Sequence, residues 1–148
     1  MSRFRPPSLR SPRETLGGYM ILPRLIDKVR LHALGKLPPE YLENLLKPGL
    51  TLDGRFLSFT GLEGEKLHRA ILTTRTDEEV LAWVEQNAHP HSAEEIRKWA
   101  EAIDVYRPDP TMAQHRKTIY PEMASKIDVA SVSVLDLIDM DEGRIPVP

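Results

Sequence analysis

Three charged residues early in the chain stand at the spacing of one helix face. Arg24, Asp27 and Lys28 are three and four residues apart, so a helix would present them side by side. A guanidinium next to an ammonium attracts carboxylate or phosphate oxygens, and an aspartate among them orients both cations. Leu31 falls within the same polar face, which implies a covering element. The element with reach is the preceding arm, which turns at Gly17-Gly18 and would bring Arg13 over the helix. Covering desolvates the cations and strengthens their attraction for an anion. The expected ligand-binding set is therefore Arg13, Arg24, Asp27 and Lys28. The alternative is a solvated face on which Asp27 pairs with its neighbours.

The other polar residues fit ordinary structural roles. His89-Pro90-His91 has the look of a metal pair. Pro90 enforces an extended link, however, in which alternate side chains point apart. The pair reads as linker histidines on the surface, and His32 and His68 as boundary side chains. Asp139-Met140-Asp141-Glu142-Gly143 is similar to the start of a calcium loop, but such a loop also needs a bidentate glutamate at its far end and a following helix. It reads as an acidic helix end. Trp83 and Trp99 read as core residues facing each other across a helical hairpin, rather than as a stacking platform. There is no phosphate loop, H-E-x-x-H or G-x-S-x-G motif. With no cysteine in the chain, thiolate chemistry and Cys-built zinc sites are excluded. No metal and no cofactor are expected.

The elements that must hold these residues read as helices. Pro23 suits a first helical position, with Leu22, Leu25, Ile26, Val29 and Ala33 on one face and Gly35 as the terminating glycine. Pro38-Pro39 opens a shorter helix carrying Leu42, Leu45 and Leu46. Residues 50–61 fit either a hairpin turning at Asp53-Gly54 or a helix capped there and ended by Gly61; the helix is preferred. Leu67, Ala70 and Ile71 mark another. Thr76-Asp77-Glu78-Glu79 and Ser92-Ala93-Glu94-Glu95 are two capping boxes. Further helices are expected from about Thr111, at Pro121, and over Val129–Ile138.

Composition narrows the class. A length of 148 residues with 41% apolar content can bury a real core. Thirteen prolines lie mostly between periodic segments, so the expected fold is all-α: a compact single domain of short helices with Pro-rich connections. The expected organisation is an extended arm over 1–14 and a helical domain over 15–148. The net charge of −2 argues against a nucleic-acid binder. Charge is uneven, with Arg3, Arg5, Arg10 and Arg13 ahead of the first acid and Asp136, Asp139, Asp141 and Glu142 near the end; the two ends suit pairing with each other. No apolar run reaches the roughly 20 residues of a membrane span, and no signal peptide is visible, so the cytoplasm is expected.

Leu9-Arg10-Ser11-Pro12-Arg13, Gly17-Gly18-Tyr19 and Leu22-Pro23-Arg24-Leu25-Ile26-Asp27-Lys28-Val29-Arg30 resemble the opening of the bacterial "domain of unknown function 5069" family. Asp136-Leu137-Ile138-Asp139-Met140-Asp141-Glu142-Gly143-Arg144 is similar to its ending. The resemblance implies one compact soluble domain and carries over no catalytic residue. The preferred functional expectation is a non-catalytic binding module for a protein or a small anionic ligand. The alternative is an enzyme acting on an anionic substrate through Arg24, Asp27 and Lys28, with Arg13 nearby.

Overall fold

The stripe Leu22, Leu25, Ile26 and Val29 is fully buried on one helix, α1 (Leu22–Ala33). The computed structural model describes residues 9–148, so positions 1–8 of the expected arm lie outside the described residues. α1 stops as its sequence implies. Gly35 has φ 69; its N–H donates to the His32 carbonyl (3.0 Å) and that of Lys36 to Leu31 (2.8 Å), which satisfies the last open carbonyls.

Ahead of α1 lies a short ribbon, β1 (Thr15–Leu16) and β2 (Tyr19–Met20), paired antiparallel with Thr15 opposite Met20. Gly17 and Gly18 form its turn with φ 59 and 87, and a two-residue hairpin of this kind needs positive φ at both positions. Gly17 is also a close-approach point, since a Cβ there would sit 2.5 Å from Leu81 Cδ1. This ribbon is the one sheet among the described residues, and the fold is all-α.

The eight remaining helices among the described residues are α2 (Pro39–Leu42), α3 (Leu52–Thr60), α4 (Gly64–Thr73), α5 (Asp77–Asn87), α6 (Ala93–Val105), α7 (Pro110–Ile119) and α8 (Pro121–Ala124), with α9 (Val134–Asp141) last. All but α4 begin at a proline or behind a hydroxyl cap. Residues 50–61 are helical as expected, but the cap is Thr51, whose hydroxyl accepts from Gly54 N–H at 3.0 Å. Asp53 is thereby free to turn inward. Both capping boxes form completely: Thr76 with Glu79, and Ser92 with Glu95. The Arg75 backbone N–H, followed by the Thr76 hydroxyl and N–H, holds the Glu79 carboxyl below its ordinary pKa, and the Ser92 N–H and hydroxyl do the same for Glu95. Only the second half of Val129–Ile138 is helical. Its first half is a turn, in which Asp128 accepts from Ala130 and Ser131, and Ser133 caps α9. No helix among the described residues is long and apolar enough to cross a membrane.

The described chain divides into two compact units, 9–97 and 98–148. In the first, α1 packs on β1 and α4, and α4 packs on α5. Phe56, Leu67, Ile71, Val80 and Val84 complete its buried centre, with Tyr19 edge-on to Phe56 at 5.6 Å. In the second, Met123, Val129, Leu137 and Met140 form the core. Buried Arg116 donates to the carbonyls of Val129 and Val132, both at 3.0 Å. The two tryptophans depart from expectation, since each is only partly buried. On α5 the buried stripe is Val80 and Val84, and Trp83 lies roughly 100° round the helix from Val84.

Candidate functional site

The polar face of α1 is covered, and the cover is the segment before the ribbon. Leu9 is buried and anchors it, which lays Arg10 across the helix. The Arg10 backbone N–H and Nε both donate to Asp27 Oδ2 (2.8 and 3.0 Å), and Nη2 donates to Oδ1 (3.0 Å). The other side of the same guanidinium reaches Asp77 at the start of α5, with Nη1 to Oδ2 at 2.6 Å and Nη2 to Oδ1 at 3.3 Å. Arg24 is buried, donates to the Arg10 carbonyl (3.1 Å) and stacks over Tyr41 at 5.6 Å. Arg10 thus clamps α1 to α5 as a two-carboxylate bridge, a geometry suited to a planar guanidinium.

Lys28 faces another way. Its ammonium is buried against Asp53, 2.8 Å from both carboxylate oxygens. Asp53 Oδ2 also accepts from the backbone N–H of Leu46 at 2.8 Å. Leu46 has φ 54, a left-handed conformation that costs a side-chain-bearing residue of order 1 kcal/mol or more. The buried ion pair therefore holds a strained turn in place.

Of the four expected residues, the structure brings Arg24 and Asp27 together under Arg10, sends Lys28 to Asp53 instead, and leaves Arg13 exposed, its backbone N–H donating to Ser11 Oγ. The arginine over the helix is Arg10. Arg24 and Lys28 are turned into the protein rather than toward solvent, because carboxylates and carbonyls of the chain already occupy their donors. Arg10, Asp53 and Asp77 were not singled out in the sequence. Asp53 sits in an Asp-Gly pair that mimics a turn, and Asp77 inside a capping box, so local signals mask their long-range partners.

Arg10 also sets a pH dependence. Its guanidinium hydrogen bonds hold the Asp77 carboxyl below its ordinary pKa, against the opposing effect of burial. Arg10 itself is pushed upward, first by Asp77 and then by Asp27. A carboxyl whose folded pKa is depressed contributes stability above its unfolded pKa and loses it as pH falls through the folded value. Asp77→Asn should accordingly be less stable than the parent at neutral pH, with the gap closing as pH falls below the usual carboxylate range. Melting curves across that range check this; a gap independent of pH would exclude the pairing.

The strained Leu46 turn forms one wall of an open groove of about 860 Å³. Leu45, Leu46 and Pro48 line one side, and α4 supplies Gly64, Glu65, His68, Arg69 and Leu72. His32, at the end of α1, and Thr73 complete the lining. The lining mixes apolar side chains (Leu45, Leu46, Pro48, Leu72) with polar ones (His32, Glu65, His68, Arg69). His32 and His68, read from the sequence as boundary side chains, both face it.

The remaining polar motifs are built into the fold. His91 stacks on Phe59 with ring centroids 3.9 Å apart, and its Nε2 lies 2.8 Å from the Phe59 carbonyl. The ring of His89 fills the space that a Cβ on Gly61 would need. Together they dock the α5–α6 linker onto the end of α3. In the second unit Arg144 Nη1 lies 2.9 Å from Asp139 and 2.6 Å from Glu142, so the calcium-like motif is a buried ion-pair cluster. Arg3 and Arg5 of the basic head lie outside the described residues. Among the described residues no three histidine, aspartate or glutamate side chains converge as a metal site.

The model of one protein family, Domain of unknown function (DUF5069), matches residues 6–144. No curated protein matches the chain. The match covers nearly all of both described units, and the chain belongs to that family.

Proposed function

We propose that this member of the family is a non-catalytic binding module that engages a protein partner through the α4 groove. The observation that carries the reading is Leu46. A non-glycine residue in the left-handed region is expensive, and such strain is retained where surrounding structure and function require it. Here a buried ion pair retains it at the lip of an open apolar groove. The charged face of α1 is then scaffolding. Arg10, Arg24, Asp27 and Lys28 satisfy one another and their carboxylate partners, which favours a protein partner over a small anion at α1. We further propose a cytoplasmic location, in keeping with a sequence without cysteine and with no helix among the described residues long and apolar enough to cross a membrane.

Amide-shift mapping tests the proposal. Amphipathic helical peptides should move signals of Leu46, His68, Arg69 and Leu72, while inorganic phosphate and citrate should leave Asp27 and Lys28 unmoved. Shifts centred on Arg24, Asp27 and Lys28 with the anions would return the function to α1. Groove signals indifferent to every peptide would remove the reading.

A further inference from the structure

The second unit has a cavity of its own, of about 410 Å³, lined wholly by residues of that unit. A volume of this order suits a small molecule. Its apolar lining includes the buried Met123 and Met140, with Ile119 and Val147. Thioether side chains are flexible and polarisable, so such a wall adapts to a branched or aromatic group.

The charged part of the lining carries both signs. Glu122 and Lys126 are four residues apart, and the turn of α8 runs on between them. The backbone N–H groups of Lys126 and Ile127 both donate to the Met123 carbonyl, at 2.9 and 2.8 Å. Helical spacing sets the two side chains on one side, and both line the cavity. Asp141, the last residue of α9, lines it too, as do Thr118 and Ile119 at the end of α7. The carboxyl-terminal end of a helix carries a partial negative charge that favours a cation. Two such ends and two carboxylates therefore suit an ammonium group. Lys126 is exposed, and its ammonium has no ion-pair partner among the described residues. It can meet a carboxylate.

We infer that this cavity binds a free apolar α-amino acid. Its ammonium lies at Glu122 and Asp141, its carboxylate at Lys126, and its side chain on Met123 and Met140. A simple amine would leave Lys126 unused, and a simple acid would face two carboxylates. A residue inside a polypeptide carries neither backbone charge.

Phenylalanine titrated into the full chain tests this, read by the methyl signals of Met123 and Met140. Both should move. Phenethylamine, hydrocinnamate and phenylalanine blocked at both ends should each bind about tenfold more weakly, since each lacks at least one charge-assisted contact. Lys126→Ala should weaken phenylalanine by about the same factor and should not weaken phenethylamine. Asp141→Asn and Glu122→Gln should weaken phenylalanine and should not weaken hydrocinnamate. Circular dichroism melts check folding; Glu122 is exposed, so Glu122→Gln carries the comparison if Asp141→Asn does not fold. Methionine signals indifferent to phenylalanine overturn the inference. Phenethylamine binding as tightly as phenylalanine overturns it as well, because Lys126 then reads no carboxylate. So does equal affinity for the end-blocked residue, which would assign the cavity to a polypeptide segment.

Discussion

Asp53→Ala should destabilise the protein by about 3–5 kcal/mol, the usual cost of stranding one member of a buried ion pair. Lys28 and Asp53 are both almost fully buried and 2.8 Å apart. Removing the carboxylate leaves an ammonium in a dry site, where its desolvation is no longer offset. It also takes the acceptor from Leu46 N–H. The turn should then relax from its left-handed conformation, so the groove should lose shape as the fold loses stability. Two controls separate these effects. Lys28→Met/Asp53→Leu removes both charges and should recover a large part of the loss, because an apolar pair of similar size often replaces a buried ion pair at little cost. Lys28→Met alone keeps the Asp53–Leu46 hydrogen bond, so its groove signals should stay nearer the parent than those of Asp53→Ala. Urea titrations read the first comparison and amide shifts of Leu46 the second. If Asp53→Ala and the apolar double variant are equally unstable, the stranded charge is not the cause.

The helices were legible because their signals are local. Pro23, Pro110 and Pro121 stand in the first turns of α1, α7 and α8, and Gly35 and Gly61 end α1 and α3, as residue chemistry alone requires. The capping boxes at Thr76 and Ser92 involve residues three apart, and both form. The covered face of α1 was legible too, from one leucine among charges. Which arginine covers it was not. Arg10 and Arg13 are three residues apart in a proline-broken segment with no periodicity. The choice depends on how Leu9 is anchored and on the Ile21 N–H donating to the Pro12 carbonyl. The groove was hidden for a related reason. Leu46 has no local cue for positive φ; its conformation comes from Asp53 seven residues on, itself oriented by Lys28 from another helix.

Arg144→Ala should cost about 3 kcal/mol, again by leaving carboxylates short of a buried partner. Asp139 and Glu142 side chains are 8% and 2% exposed, and Arg144 is 14% exposed. One guanidinium nitrogen serves both acids, while Gly143, with φ 77, turns the chain so that Arg144 can fold back over the end of α9. The Arg144 backbone N–H also donates to the Asp139 carbonyl at 2.8 Å, so the side-chain pair and the helix stop reinforce each other. Arg144→Lys should recover only part of the loss, because the ammonium keeps the charge but sits on a stem of different length and shape, and has to reach both carboxylates at once. Arg144→Ala/Glu142→Gln, which takes away one carboxylate charge along with the cation, should be more stable than Arg144→Ala alone. Thermal melts of the set, followed by near-ultraviolet signals from Tyr120, which packs on the Met123–Met140 core, would localise the damage to the second unit. If the double variant is no better than the single, charge burial is not what Arg144 relieves, and its role is confined to the backbone turn at Gly143.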